Sequence, residues 1–292
     1  MAMGPPRPMS VLEVLRKSTD YLAKRKIDSP RLNAEHLLGH VLGRTRMELY
    51  LEFERELSEP ELAPLRELLK RRGDGEPLQH LLGTVEFCGH TFLCDRRAMV
   101  PRPETEEVVE LLKCEIRKMP VGLGSKSDIL DVGTGSGVIA LSLAKEFPEA
   151  VIVAVDLSDE ALALARENAE RMALSDRMQF FKSHLLANVK GEFDVIVANL
   201  PYVATQDRHL LSREVSHDPE VALFGGERGD ELIRELIDEA PPHLKPGGLL
   251  ALELGIGHAA SLLELLAGKK YHDIAAKNDY SGVTRFLFAR YG

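Results

Sequence analysis

The chain has 292 residues, 44% of them hydrophobic and 28% charged, with 23 Gly and 16 Pro, a profile that leaves room for one large α/β domain and a smaller one and excludes collagenous, repetitive or disordered chains. The formal net charge of −9 argues against a protein that coats nucleic acid, because phosphate contacts need a basic surface. Cys88, Cys94 and Cys114 are too few and too unevenly spaced for a disulfide framework or a paired metal site.

The opening stretch, Met1 to Pro8, carries three prolines and lacks the apolar segment of a signal peptide. No apolar run approaches the roughly 18–20 residues of a membrane span. The expectation is a soluble, cytoplasmic chain, monomeric, with no membrane or direct DNA contact and no metal. Residues 1–75 then read as short helices. Ser10 with Glu13 forms a capping box ahead of Val11, Leu12, Val14 and Leu15. Ser29-Pro30 opens a second helix, whose Ala34, Leu37, Leu38, Val41 and Leu42 recur at helical spacing until Gly43. Thr45 with Glu48, and Ser58 with Glu61, repeat the box for two more helices, so the region is expected to be a small helical bundle. It is less acidic than the rest and carries two basic clusters, Lys24-Arg25-Lys26 and Lys70-Arg71-Arg72. They read either as solvated helix ends or as a docking surface for an RNA-bound or acidic partner.

Residues 76–100 change character. Val85-Glu86-Phe87 and Thr91-Phe92-Leu93 flank Cys88-Gly89-His90, the pattern of a β-hairpin, here expected to link two domains. From 101 to 292 strands and helices alternate. Strands are expected at Ile129–Val132, Val151–Val155, Met178–Phe181, Val195–Ala198, Leu249–Leu254 and Thr284–Ala289, with helices at Val138–Phe147 and Asp159–Met172. Nearly all-apolar strands alternating with helices make an α/β domain, a mostly parallel, Rossmann-like sheet with helices on both faces. Ligands of such sheets bind at the carboxyl ends of the strands.

The chemistry-bearing motifs fall at those ends. Asp131-Val132-Gly133-Thr134-Gly135-Ser136-Gly137 follows the first strand and opens a helix. Its glycines let backbone approach a ligand where a Cβ would obstruct. Val155-Asp156 closes the second strand, putting a carboxylate within reach of two ribose hydroxyls. Loop and acid together indicate an adenosine moiety, and the GxGxG spacing favours S-adenosylmethionine over a dinucleotide. Asp131 reads equally as a partner for the ligand's amino group or as a cap on its own strand.

Asn199-Leu200-Pro201-Tyr202 follows the fourth strand. An amide or ring amine is a poor nucleophile because its lone pair is delocalised, and two well-placed acceptors can hold that lone pair along the transfer axis. The Asn199 side-chain oxygen and the Leu200 backbone carbonyl can serve. Leu200 precedes proline, which holds its backbone extended, and Tyr202 offers a flat face for a planar group. Orientation is then the main source of acceleration. His90, His209, His217 and His258 show no metal spacing and are expected at the surface or in hydrogen bonds. No Ser-centred GxSxG occurs, and Cys114 lies in a helical stretch without activating neighbours.

With these residues in view, the chain resembles the release-factor glutamine methyltransferases, the HemK/PrmC family, over essentially its whole length. The specific signals are Gly75-Glu76-Pro77-Leu78-Gln79, Gly83, Glu86-Phe87 and Val100-Pro101-Arg102-Pro103-Glu104-Thr105-Glu106. Asp218-Pro219, Ala222-Leu223 with Gly225-Gly226, and Leu252-Glu253-Leu254-Gly255 complete them. The resemblance implies methylation, by S-adenosyl-L-methionine with release of S-adenosyl-L-homocysteine, of the side-chain amide nitrogen of the glutamine in the GGQ motif of class I peptide chain release factors. It implies Gly133, Thr134, Gly135, Ser136, Gly137, Asp156, Leu157, Leu185 and Asn199 at the cofactor. Asn199, Leu200, Pro201 and Tyr202 would surround the substrate amide and be catalytic, the 101–106 segment would close the cofactor pocket, and residues 1–75 would dock the release factor.

Three positions depart from the family pattern. Leu200 stands where a second proline is usual, Ser183-His184-Leu185 replaces an acid and an aromatic near the adenine, and Gly257-His258 stands where glutamine is common. The competing readings are an adenine-N6 methyltransferase of rRNA or DNA, which shares the logic of the tetrapeptide, and a non-catalytic cofactor-binding module. Acidic charge and the 101–106 segment count against the first, and the intact Asn199 and Tyr202 against the second.

Overall fold

The computed structural model describes residues 8–119 and 127–292. The expectation about the opening stretch falls, but for Pro8, outside them. The chain divides into two units, one running to Thr84 and taking in Ser212–His217, the other made of Val85–Leu211 and Asp218–Gly292.

The first unit is helical. A two-residue strand β1 (Met9–Ser10) pairs antiparallel with β2 (Glu56–Leu57), and the helices are α1 (Val11–Lys24), α2 (Pro30–Leu42), α3 (Arg46–Leu51), α4 (Glu59–Gly73) and α5 (Leu78–Leu82). The cap residues start the helices where the sequence places them. Ser10 Oγ accepts from Glu13 N while Ser10 N donates to the Glu13 carboxylate, and Thr45 and Glu48 repeat this. Ser58 N and Oγ donate to Glu61 at 2.8 and 2.7 Å. Ser29 differs: it sits in the left-handed region, φ 47°, and its side chain caps nothing. Instead Asn33 Nδ2 donates back to Asp28 O and Ser29 O. Val11, Val14, Leu15 and Leu22 of α1 meet Leu37 and Leu38 of α2 and Leu62, Leu65 and Leu69 of α4 in one apolar core. The arginines of the basic clusters are engaged in ion pairs. Arg25 pairs with Asp74, Arg71 with Glu76, and the buried Arg72 with Asn33, the Glu76 carbonyl and Glu214.

The hairpin forms as expected, β3 (Thr84–Phe87) and β4 (His90–Leu93), turning at Cys88 and Gly89, both with positive φ. The second unit then contains α6 (Pro103–Arg117), β5 (Asp128–Val132), α7 (Val138–Glu146), β6 (Val151–Asp156), α8 (Asp159–Arg171), β7 (Met178–Lys182) and β8 (Phe193–Ala198). Two short strands follow, β9 (Val203–Ala204) and β10 (Phe224–Gly226), then α9 (Glu231–Glu239), β11 (Leu244–Glu253), α10 (Ala259–Ala267), β12 (Tyr271–Asn278) and β13 (Thr284–Tyr291). Seven strands make one sheet in the order β12-β13-β11-β8-β5-β6-β7. Those from β11 to β7 run parallel, whereas β13 is antiparallel to β11 and β12 antiparallel to β13. Strand residues alternate between two cores, with Ile129, Val195 and Val197 on one face and Leu130, Ile196 and Ala198 on the other.

Strand order reverses between β5 and β8: the chain proceeds through β6 and β7 on one side of β5, then through β8 and β11 on the other. The crevice at a parallel sheet's carboxyl end opens at such a switch. The glycine loop leaves β5 there and the Asn199 tetrapeptide leaves β8. Among the described residues no helix is long and apolar enough to cross a membrane.

Candidate active site

A cavity of about 320 Å³ lies at the switch point, within the size range of small-molecule sites. Its floor is the loop Gly133–Ser136; Asp156 and Leu157 form one wall, Ser183–Leu185 another, and Asn199, Leu200 and Pro201 a third. Ala98, Met99, Pro101 and Thr105 contribute from the 98–105 segment, and Val221, Ala222 and Phe224 from the loop before α9.

The glycine loop is shaped by its own strands. Gly133 N and Thr134 N both donate to Val155 O at 2.9 and 3.0 Å, and the chain turns through positive φ at Gly133, Gly135 and Gly137. Asp156 holds the loop's crown, accepting from Gly135 N on Oδ2 at 2.8 Å and from Ser158 N on Oδ1 at 2.9 Å. Burial raises the Asp156 carboxyl above its ordinary value, and these backbone donors oppose the rise. Beneath the loop Asp131 is fully buried; its Oδ2 accepts from Thr134 Oγ1 at 2.7 Å and from Ala140 N at 3.2 Å, and its Oδ1 has no hydrogen-bond partner among the described residues. Loss of solvation pushes the Asp131 carboxyl up to about 7. The loop is also braced from behind. Asn168, on α8, donates from Nδ2 to Ser136 O at 2.9 Å and accepts from Leu93 N of the hairpin at 2.7 Å.

At the end of β8, Asn199 Nδ2 donates to Thr105 Oγ1 at 3.0 Å, and Thr105 Oγ1 donates to Glu253 Oε2 at 2.8 Å. Thr105 and Glu253 are buried, 3% and 2% exposed, so water does not compete for these bonds. Burial pushes the Glu253 carboxyl up to about 7, against the lowering influence of the Thr105 hydroxyl and the Arg285 charge. Leu200 is 4% exposed and its Cδ2 lies where a Cβ on Gly133 would come within 3.0 Å. The side chain standing in place of the family's proline therefore fills space over the glycine loop. β10 and the turn after it pass close behind the tetrapeptide, where a Cβ on Gly225 would meet Pro201 O at 2.2 Å and one on Gly229 would meet Tyr202 O at 2.5 Å. The 98–105 segment is clamped as well, since the buried Asp218 carboxylate accepts from Val100 N at 3.1 Å and from Arg102 Nη2 at 2.7 Å.

The structure thus gathers Gly133, Thr134, Gly135, Ser136, Asp156, Leu157, Leu185, Asn199, Leu200 and Pro201 around one cavity. Two residues expected there stand apart. Gly137 is the cap residue just ahead of α7, where a Cβ would press on Leu141 and Ala165. Tyr202 is not among the described residues that line the cavity; it packs beside Gly255, and burial raises its hydroxyl above the usual tyrosine range. His209 and His217 meet backbone carbonyls as expected, whereas His258 Nδ1 is buried without a partner among the described residues. Thr105 and Glu253 received no chemical role from the sequence, although an acid inside Leu249–Leu254, an otherwise apolar central strand, is itself a signal.

Residues 13–83 match the model of the PrmC N-terminal domain, and residues 111–221 that of the methyltransferase small domain. The release factor glutamine methyltransferase of Geobacter sulfurreducens is 38% identical over 289 residues, covering 98% of this chain and 99% of its own. That of Deinococcus radiodurans is 40% identical over 282 residues, covering 97% and 99%. Among solved structures, the hMettl16 catalytic domain bound to an RNA hairpin shares the fold at a TM-score of 0.56 and 16% identity, over 81% of this chain and 84% of its own.

Proposed function

The chain belongs to the release factor glutamine methyltransferase family, and from that premise we propose that it transfers the methyl group of S-adenosyl-L-methionine to the side-chain amide nitrogen of the GGQ glutamine in class I peptide chain release factors. S-adenosyl-L-homocysteine is the other product. The observation that carries the reading is the Asn199 carboxamide, tied through its NH2 group beside a cavity floored by a glycine loop and walled by a strand-end acid.

The residues present fit the cofactor. Asp156 offers remaining lone pairs to two ribose hydroxyls, and Leu157, Ala161, Leu185 and Val221 provide apolar surface for a purine. The ligand is cationic at its sulfur and amino group. A bound cation would favour the ionised forms of the Asp131 and Asp156 carboxyls, which burial by itself disfavours. When bound, the cofactor would supply a methyl group already activated by its sulfonium, so no strong base is needed to begin transfer, and the amide proton lost once the nitrogen carries the methyl group passes to solvent.

The protein's own part is orientation. Asn199 Oδ1 and the Leu200 carbonyl accept the two N–H groups of the substrate amide and turn its lone pair toward the methyl group. Proline at 201 keeps Leu200 extended, and the Leu200 side chain, seated over Gly133, fixes where that carbonyl points. Tyr202 flanks the amide from outside the cavity. Residues 1–75 form the release-factor docking domain, 76–100 the linker and 101–292 the catalytic domain.

The test is to incubate the protein with labelled cofactor and, in separate arms, a class I release factor or ribosomal RNA, then map the methylated atom by mass spectrometry. Label on the GGQ glutamine is the expected result; label on adenine alone would replace this reading with that of an adenine methyltransferase.

A further inference from the structure

We propose that Thr105 and Glu253 are positioning residues that fix the sense of the Asn199 carboxamide, holding its NH2 group away from the substrate so that only Oδ1 is presented. The inference deepens the functional reading above and rests on it.

A carboxamide is nearly symmetric in shape, so packing alone does not decide which end faces a ligand; hydrogen bonding must. Here direction is set at one end and passed along. Burial raises the Glu253 carboxyl to about 7, so above that pH it is ionised and an acceptor only, and the single hydroxyl proton of Thr105 goes to it, over 2.8 Å. With that proton committed, Thr105 Oγ1 has only lone pairs to offer, and Asn199 meets it with Nδ2, over 3.0 Å. Asn199 Oδ1 carries no hydrogen bond among the described residues, and Asn199 lines the cavity.

A flipped carboxamide would point Oδ1 at Thr105 Oγ1. The hydroxyl proton would have to leave Glu253 to meet it, stripping a buried carboxylate of its donor, or two oxygens would face each other without one. The flipped amide would also present N–H groups to a nitrogen that is itself a donor. The relay thus makes the wrong orientation costly before substrate arrives, which is the preorganisation that orientation-dependent transfer needs. It joins the 101–106 and 252–255 segments, neither of which carries a residue of the glycine loop or the tetrapeptide.

The experiment uses full-length ¹⁵N-labelled protein, with the Asn199 side-chain NH2 signals assigned by their loss in Asn199→Ala. In the native protein these signals should be protected from solvent exchange; in Thr105→Val, which keeps the shape and removes the hydroxyl, protection should be lost; Thr105→Ser should restore it. In parallel, Thr105→Val should lower kcat on a release factor by about tenfold or more, with cofactor affinity by calorimetry and the release-factor KM within about twofold, and Thr105→Ser should recover most of the loss. Unprotected Asn199 signals in the native protein would overturn the proposal, as would native kcat in Thr105→Val or a serine variant as impaired as the valine one. The exchange measurement needs no substrate, so protected signals in a native protein that leaves release factors unmethylated would support the relay while overturning the acceptor assignment.

Discussion

The side chain of Leu200 seats directly over Gly133, so close that a Cβ at position 133 would lie 3.0 Å from Leu200 Cδ2. Two motifs far apart in sequence, the turn after β5 and the turn after β8, are therefore packed as one piece. Gly133 also has φ 73°, which side-chain-bearing residues rarely adopt. Leu200→Ala should leave a void there and lower the unfolding free energy by about 2–4 kcal/mol. Urea unfolding measures this, and an unchanged midpoint and slope would mean that Leu200 is not packed as described.

Asn199→Ala should leave cofactor affinity within a few-fold of native while reducing transfer by about 100-fold or more, because the lost group orients the acceptor and not the donor. Calorimetry and single-turnover transfer separate the two effects. Turnover that survives the substitution would remove Asn199 from the mechanism.

Asp156→Ala should weaken cofactor binding by about 1–3 kcal/mol through lost ribose hydrogen bonds. Since Gly135 N also loses its acceptor, amide exchange across residues 133–137 should quicken in the same variant, even without ligand. Equal affinity by calorimetry would locate the ribose elsewhere.

Asp131 predicts a pH signature. Its folded carboxyl is raised from 3.8 to about 7 by burial. An acid raised in this way binds more protons folded than unfolded, so its contribution to stability is most favourable below 3.8, declines as pH climbs through the interval, and is level above about 7. Asp131→Asn removes that decline. The stability of the variant relative to native should therefore increase between about pH 4 and 7 and stay flat beyond, as read from urea unfolding at a series of pH values. A difference independent of pH would mean that Asp131 is ionised throughout.

The parts of the site that the sequence revealed are those whose chemistry is local. A turn needing three left-handed positions must be written in glycines within a few residues, and an acid closing a strand or an Asn-Leu-Pro-Tyr turn is equally compact. The Glu253–Thr105–Asn199 relay joins side chains separated by 148 and 94 positions, a distance across which no periodicity carries information. Sheet strands were legible where both faces are buried. β12 was not, because this edge strand puts His272 and Asp273 in solvent and lacks the apolar run of its neighbours. Likewise β11 begins at Leu244, ahead of the Pro246-Gly247-Gly248 stretch that reads as a turn; its pairing with β8 simply shifts register across those residues. Gly137 and Tyr202 show the converse: motif membership groups them with the loop and the tetrapeptide, yet neither is among the described residues that line the cavity, Gly137 packing near Leu141 and Ala165 and Tyr202 beside Gly255.

Gly225 and Gly229 are not among the described residues that line the cavity, yet the carbonyls of Pro201 and Tyr202 occupy the volume that a methyl group at either position would claim. An alanine at 225 meets no forbidden backbone angle and would still shove the tetrapeptide off its mark. In a mutational scan scored only by turnover, such a position would masquerade as chemistry, although what it contributes is vacancy.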